Sequence, residues 1–213
     1  MAVPRVWAVI VAAGWGERFG GPKQFAELGG ARLVDHAVAT AAATCDAVVL
    51  VVPDASDWRG ADVDALVTGG ASRAESVRAG LGAVSFGAEI VVVHDAARPL
   101  ATAALFTAVV DAVRNGADGA VPGLAVTDTL KRVDDVRVTS TVDRVGLVAV
   151  QTPQAFRADI LRDAHANGAD ATDDAALVEE LGGSVVVVPG DPRNLKVTGP
   201  ADLMIAAALL ETS

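Results

Sequence analysis

Short apolar runs rich in β-branched residues recur at 6–11, 47–52, 89–94, 119–122 and 185–188, each bounded by Gly, Pro or Asp. Apolar character that is continuous rather than alternating predicts strands buried on both faces. Ala-rich segments of helical length occupy 33–44, 72–84, 102–115, 156–167, 173–181 and 201–211. In the second of these, Ala74, Val77, Leu81 and Val84 recur at helical spacing, so one stripe faces the sheet. Strands and helices in alternation predict an α/β sandwich around a mostly parallel sheet. Residues 125–144 break the rhythm: Val126, Asp128, Leu130, Arg132, then Val133, Val136 and Val138 mix apolar and polar positions around Asp134-Asp135, the pattern of a β-hairpin. A two-stranded ribbon of this kind cannot bury itself, so it is expected to protrude and find a partner surface.

The chain has 213 residues, 52% of them hydrophobic and 21% charged, which excludes disulfide scaffolds and intrinsic disorder. One folded unit over 1–213 is expected, with the hairpin arm at about 125–145. Against 17 Lys+Arg stand 27 Asp+Glu, a net charge of −10 with no basic run, so neither nucleic acid nor an anionic membrane surface is an expected partner. The longest apolar stretches, 6–13 and 203–210, fall short of the roughly 18 residues that a spanning helix needs. The lone Arg5 before the first of them does not make the charged start of a signal peptide. Cys45 is the only cysteine, which rules out an intrachain disulfide and a Cys-based zinc site and makes the cytoplasm the expected compartment.

Any anionic ligand of so acidic a chain must meet local positive charge. Directly after the first strand comes Ala12-Ala13-Gly14-Trp15-Gly16-Glu17-Arg18-Phe19-Gly20-Gly21-Pro22-Lys23-Gln24. Small residues let backbone N–H groups approach an anion. The dinucleotide fingerprint fails at Phe19, and the Walker A pattern fails because Lys23 stands between Pro22 and Gln24. Such glycines also serve ordinary strand-to-helix loops, but Arg18 and Lys23 in the same loop suit a polyphosphate, each charge-assisted hydrogen bond contributing roughly 1.5–3 kcal/mol. Asp95 ends an apolar run at the carboxyl edge of the sheet, where a carboxylate suits Mg2+, ligand hydroxyls or the cap of the next turn. His36, His94 and His165 lack spaced partner ligands and read as structural. Asp170, Asp173 and Asp174 read as charge at a helix N-terminus. No Gly-x-Ser-x-Gly elbow supports a hydrolase.

The glycine loop resembles the AAG-x-G-x-R…PKQ signature of the nucleotidyltransferases, specifically the 2-C-methyl-D-erythritol 4-phosphate cytidylyltransferase family. Further segments resemble that family in its order: Gly69-Gly70 with Arg73-Ala74-Glu75-Ser76-Val77, Val93-His94-Asp95-Ala96-Ala97-Arg98-Pro99, Asp128-Thr129-Leu130-Lys131 and Thr141-Val142-Asp143-Arg144. They continue with Gln151-Thr152-Pro153-Gln154, Ala171-Thr172-Asp173-Asp174 and Asn194-Leu195-Lys196-Val197-Thr198. The resemblance implies a three-layer Rossmann-like nucleotidyltransferase fold, mostly parallel, with the hairpin clasping a second subunit in a homodimer. It implies that CTP and methylerythritol phosphate are the ligands and Mg2+ the cofactor. A phosphate oxygen of methylerythritol phosphate would attack the α-phosphorus of CTP in line, and pyrophosphate would leave.

By the same resemblance Ala12, Ala13, Gly14 and Gly16 cradle the CTP phosphates, Arg18 grips the outer two, and Lys23 and Lys196 flank the α-phosphate. Read from its own position, Lys196 could equally be a solvated surface lysine. Gly70, Ala71, Ser76 and Ala96 would line the nucleoside side, and Ala71, where the family often has an acid, can offer only its backbone. Asp95 would serve the metal, unless Mg2+ is held by the CTP phosphates alone. Arg98 would brace its loop or contact the sugar phosphate, which Thr129, Arg144, Thr152 and Thr172 would hold, the first two serving the neighbouring subunit. With the last predicted helix ending at residue 211, the chain is expected to act without the fused cyclodiphosphate synthase domain of some relatives. Ribitol 5-phosphate cytidylyltransferases share the glycine loop and lysine, whereas Ala96-Ala97 before Arg98 resembles the methylerythritol enzymes better. A catalytically silent nucleotide-binding domain is the other alternative, and the joint presence of Arg18, Lys23, Asp95, Arg144 and Lys196 argues against it.

Overall fold

The computed structural model describes residues 5–171 and 173–212. The five runs become strands β1 (Val6–Val11), β4 (Ala47–Val52), β6 (Ile90–Asp95), β7 (Gly119–Ala125) and β12 (Val185–Pro189). Three strands that the apolar pattern does not reveal join them: β5 (Ala65–Thr68), β10 (Val148–Val150) and β11 (Gln154–Arg157). Together they form an eight-stranded sheet running β5-β4-β1-β6-β11-β7, with β10 and β12 also paired to β7. Pairs β4–β5, β1–β4, β1–β6 and β7–β12 are parallel, while β10 and β11 run antiparallel to their neighbours. Strands β2 (Glu27–Leu28) and β3 (Ala31–Arg32) form a small separate turn.

Helices α1 (Leu33–Thr44) and α3 (Ala103–Arg114) cover one face of the sheet, and α2 (Arg73–Ala83), α4 (Ala158–Ala166) and α5 (Asp174–Glu180) the other. The two-residue period of a strand makes this sandwich. Ala8 and Ile10 of β1 pack with Val34 and Phe106 on one side, and Val9 packs with Val77 and Leu161 on the other. Gly80 lets α2 sit close, since a Cβ there would stand 2.5 Å from Val9 Cγ1. Helix α6 (Pro200–Glu211) closes a third cluster through Ala206 against Leu28, Leu33 and Val197. No helix among the described residues is long and apolar enough to cross a membrane.

The hairpin is present but shorter than 125–144: among the described residues β8 (Leu130–Asp134) and β9 (Arg137–Val142) pair only with each other, and Ala125 still belongs to β7. Asp135, in the turn, takes a left-handed φ of 51°, and the register shifts at Arg132/Val133 as in a β-bulge. Val133, Val136 and Val138 are exposed along this ribbon. Residue 156, expected to begin a helix, instead lies in β11, because pairing to both β6 and β7 holds residues 154–157 extended until α4 starts at Ala158.

Candidate active site

The loops after β1, β5 and β6 converge at the carboxyl ends of these strands, where open α/β sheets offer a crevice. They enclose a cleft of about 510 Å³ lined by Ala12, Ala13, Gly14, Trp15, Gly16, Arg18, Lys23, Gly70, Ala71, Arg73, Asp95, Ala96 and Lys196, among others. Of the residues that the resemblance assigns to catalysis or CTP binding, all but Ser76 thus meet on one cleft wall or another.

The glycine loop winds around the carbonyl of Gly16, which accepts from the amides of Phe19, Gly20 and Gly21 at 2.8, 3.0 and 3.3 Å. Gly16 has φ +65°, and a Cβ there would overlap the Gly21 carbonyl, so only glycine makes this turn. The amides of Ala13, Gly14, Trp15 and Gly16 have no partner among the described residues and remain available to an anion. Ala12 departs from the expected cradle: its amide is committed to Val51 O at 2.8 Å, extending the sheet. Trp15 stands 72% exposed at the cleft wall.

Lys23 follows Pro22 in a short 3-10 turn that brings it beside Arg18 and Lys196. Partial burial, then the charges of Lys196 and Arg18, push its ammonium below the usual lysine range, against the weaker pull of Asp95. Lys196 is positioned by its neighbour in the chain, since Val197 N donates to Ala97 O at 2.8 Å and ties residues 194–198 to the loop after β6. Its Nζ meets Asp95 Oδ2 at 2.7 Å, so this exposed lysine is held at the cleft by an ion pair. Asp95 is buried. Burial alone would raise its pKa, but Arg73 and Lys196 outweigh that and hold the carboxyl below the usual range, so it stays ionised.

On the opposite wall α2 starts with a capping box, Ser72 Oγ accepting from Glu75 N at 3.2 Å. Glu75 Oε2 in turn accepts from the amides of Ala71 (2.6 Å) and Ser72 (3.3 Å), and Ser76 Oγ from Gly70 N (3.2 Å). The loop amides expected to face a base are therefore bound within the loop. Ser76 is buried and supports the wall from behind. Gly69 must lack a side chain, because a Cβ there would stand 2.3 Å from that of Ala13.

Of the expected substrate contacts Thr152 is arranged differently, Arg98 takes the loop-bracing alternative, and Thr129 and Arg144 stand away from this chain's cleft. Thr152 is buried behind the cleft, its hydroxyl accepting from Asp95 N at 3.1 Å and paired with His94 Nδ1 at 3.0 Å. Arg98 braces its loop by donating to Asn194 O at 2.8 Å. Thr129 and Arg144 are exposed on the arm, Arg144 donating to Thr127 O, and neither lines this chain's cleft. Thr172 lies outside the described residues. His94 is structural as expected: wholly buried, its ring centre 5.2 Å from that of Phe106, its pKa pushed down to about 4 by that burial. Gln151 and Asn194, to which the sequence assigned no individual role, form a buried amide pair. Asn194 Nδ2 donates to Thr152 O at 2.8 Å and Gln151 Nε2 to Asp191 O at 2.9 Å, joining the threonine to the segment that carries Lys196.

Residues 6–212 match the family described as IspD, 2-C-methyl-D-erythritol 4-phosphate cytidylyltransferase. The chain is 45% identical to the enzyme of that name from Nocardia farcinica, the match covering 97% of this chain and 94% of the relative. It is 44% identical to the one from Streptomyces avermitilis, covering 97% and 92%. The crystal structure of the Thermus thermophilus 2-C-methyl-D-erythritol 4-phosphate cytidylyltransferase superposes with a TM-score of 0.83 at 35% identity, covering 95% of this chain and 98% of that one. With agreement in sequence over nearly the whole length and in the course of the backbone, the chain belongs to the 2-C-methyl-D-erythritol 4-phosphate cytidylyltransferase family.

Proposed function

We propose that this protein transfers the cytidylyl group of CTP to 2-C-methyl-D-erythritol 4-phosphate, giving 4-diphosphocytidyl-2-C-methyl-D-erythritol and pyrophosphate. A phosphate oxygen of the acceptor forms a bond to the α-phosphorus, the bond to the bridging β-phosphate oxygen breaks, and that oxygen leaves with its electron pair as pyrophosphate. The observation that carries this reading is the convergence of Arg18, Lys23 and Lys196 on one cleft beside four free amides. Partial burial and, after it, the charges of Lys196 and Arg18 disfavour the Lys23 ammonium, and a triphosphate would offset both. Little covalent work is asked of a protein in such a transfer, so alignment and charge neutralisation supply the rate. Incubation with CTP, Mg2+ and methylerythritol phosphate should give pyrophosphate and a single diphosphate-linked product by 31P NMR. An unchanged CTP spectrum would contradict the assignment.

We assign the Mg2+ to the triphosphate. Among the described residues no group of three or more His, Cys, Asp or Glu side chains could hold a metal, and Asp95, whose oxygens take Arg73 Nε and Lys196 Nζ, offers at most one oxygen ligand, the one shared with Lys196. Bound there, the ion would offset charge on the phosphates. A chelator should therefore stop pyrophosphate release and added Mg2+ restore it. Full activity in metal-free buffer would overturn this part.

The arm supports a homodimer in which Thr129 and Arg144 reach the neighbour's acceptor subsite, since its valines are exposed, its two strands pair with no other strand among the described residues, and an isolated ribbon is marginal alone. A cytoplasmic location is supported by Cys45 being the single cysteine of the sequence, which leaves no intrachain disulfide to form.

A further inference from the structure

Arg73, the first residue of α2, faces two carboxylates from distant parts of the chain. Its Nε donates to Asp95 Oδ1 at 3.0 Å and its Nη1 to Asp174 Oδ2 at 2.9 Å. The remaining oxygen of Asp95 takes Lys196 Nζ at 2.7 Å, and that of Asp174 pairs with His165 Nε2 at 3.0 Å. A continuous line Lys196–Asp95–Arg73–Asp174–His165 thus runs from the cleft into the interior, where Asp174 and His165 are all but inaccessible. Burial works against the charge of Arg73, yet the fields and hydrogen bonds of Asp95 and Asp174 outweigh it and hold the guanidinium above its usual pKa. Two further bonds clamp the same helix to the loop before α5: Ser72 Oγ to Asp170 Oδ1 at 3.0 Å and Arg78 Nη1 to Ala169 O at 2.9 Å.

This arrangement bears on Lys196. A buried carboxylate with the lysine as sole partner would hold the ammonium tightly and compete with an incoming phosphate. Arg73 supplies positive charge to Asp95 from behind, which weakens that grip while keeping the carboxylate in place. Asp174 takes the other arm of the fork and stops the guanidinium from swinging to the phosphate itself. We propose that Arg73 is a positioning residue for the transfer: its guanidinium, divided between Asp95 and Asp174, sets where the Lys196 ammonium stands and how readily it passes to the phosphate, without Arg73 binding the nucleotide. The proposal rests on the cytidylyl-transfer reading above.

Lysine keeps the charge of Arg73 but cannot span two carboxylates with a fixed fork. In the full-length protein, Arg73→Lys is expected to lower kcat for pyrophosphate release on the order of tenfold while the calorimetric Kd for CTP stays within about threefold. Arg73→Ala should lose more, and methylguanidinium added to that variant should restore several-fold of the lost rate, which repair of a merely structural defect would not do. Arg73→Lys with kcat within about twofold of wild type overturns the proposal, as does a loss confined to CTP affinity, which would make Arg73 a nucleotide ligand. Absence of any rescue of Arg73→Ala also counts against it. Wild-type protein that releases no pyrophosphate would remove the functional reading and this proposal together, whereas an active wild type with an unaffected Arg73→Lys removes this proposal alone.

Discussion

Replacing Lys23 with alanine is expected to lower kcat on the order of 10²-fold or more while changing CTP binding only a few-fold. The asymmetry has a physical origin. In the ground state Lys23 attracts the triphosphate but also repels Lys196 and Arg18, more strongly than Asp95 attracts it, so its removal relieves part of what it costs. As the α-phosphorus is attacked, charge grows on the oxygens that Lys23 and Lys196 are proposed to flank, and Lys196 alone would then have to offset it. The Lys23 ammonium has no hydrogen-bond partner among the described residues, so its removal leaves the loop's bonding around Gly16 intact. Pyrophosphate release at saturating substrates, with CTP affinity measured separately, distinguishes the cases. A rise in KM at unchanged kcat would show that Lys23 only binds substrate.

Mixing two inactive variants is expected to restore activity. If the arm is exchanged between subunits, Arg144 of one chain completes the cleft that contains Lys23 of the other, consistent with its exposed position away from its own cleft. Lys23→Ala and Arg144→Ala homodimers should each be nearly inactive. In an equilibrated equimolar mixture about half the dimers are mixed, and each mixed dimer holds one site with both residues intact. Recovery of roughly a quarter of wild-type activity per site follows from that symmetry. No recovery after verified subunit exchange would mean that Arg144 serves its own chain.

What the sequence makes legible follows from how locally each feature is encoded. Strands β1, β4 and β6 announce themselves because burial on both faces demands unbroken runs such as Val48-Val49-Leu50-Val51. Strand β11 does not, since Gln154-Ala155-Phe156-Arg157 is held extended by its neighbours and carries no β-branched run. The cationic loop is legible because Arg18 and Lys23 stand within a few residues of its glycines. The charge line behind Asp95 is not: Arg73 lies 22 residues from Asp95 and 101 from Asp174, and only the fold brings them together. Thr152 shows the opposite failure. Its motif is recognisable, yet its hydroxyl is directed to Asp95 N and His94, so it shapes the site from behind. The amides of Gly70 and Ala71 read as open in the sequence and are closed in the fold by Ser76 and Glu75, whose reach back over the loop depends on the geometry at the start of α2.

Cytidylyl transfer from the cationic cleft to a methylerythritol phosphate acceptor is tested most directly by pyrophosphate release from CTP with Mg2+, run side by side with 2-C-methyl-D-erythritol 4-phosphate, with ribitol 5-phosphate and with no acceptor. Release in step with acceptor consumption is expected for methylerythritol phosphate, and background release in the other two. Release with ribitol 5-phosphate but not with methylerythritol phosphate, or equal release without any acceptor, would contradict the assignment.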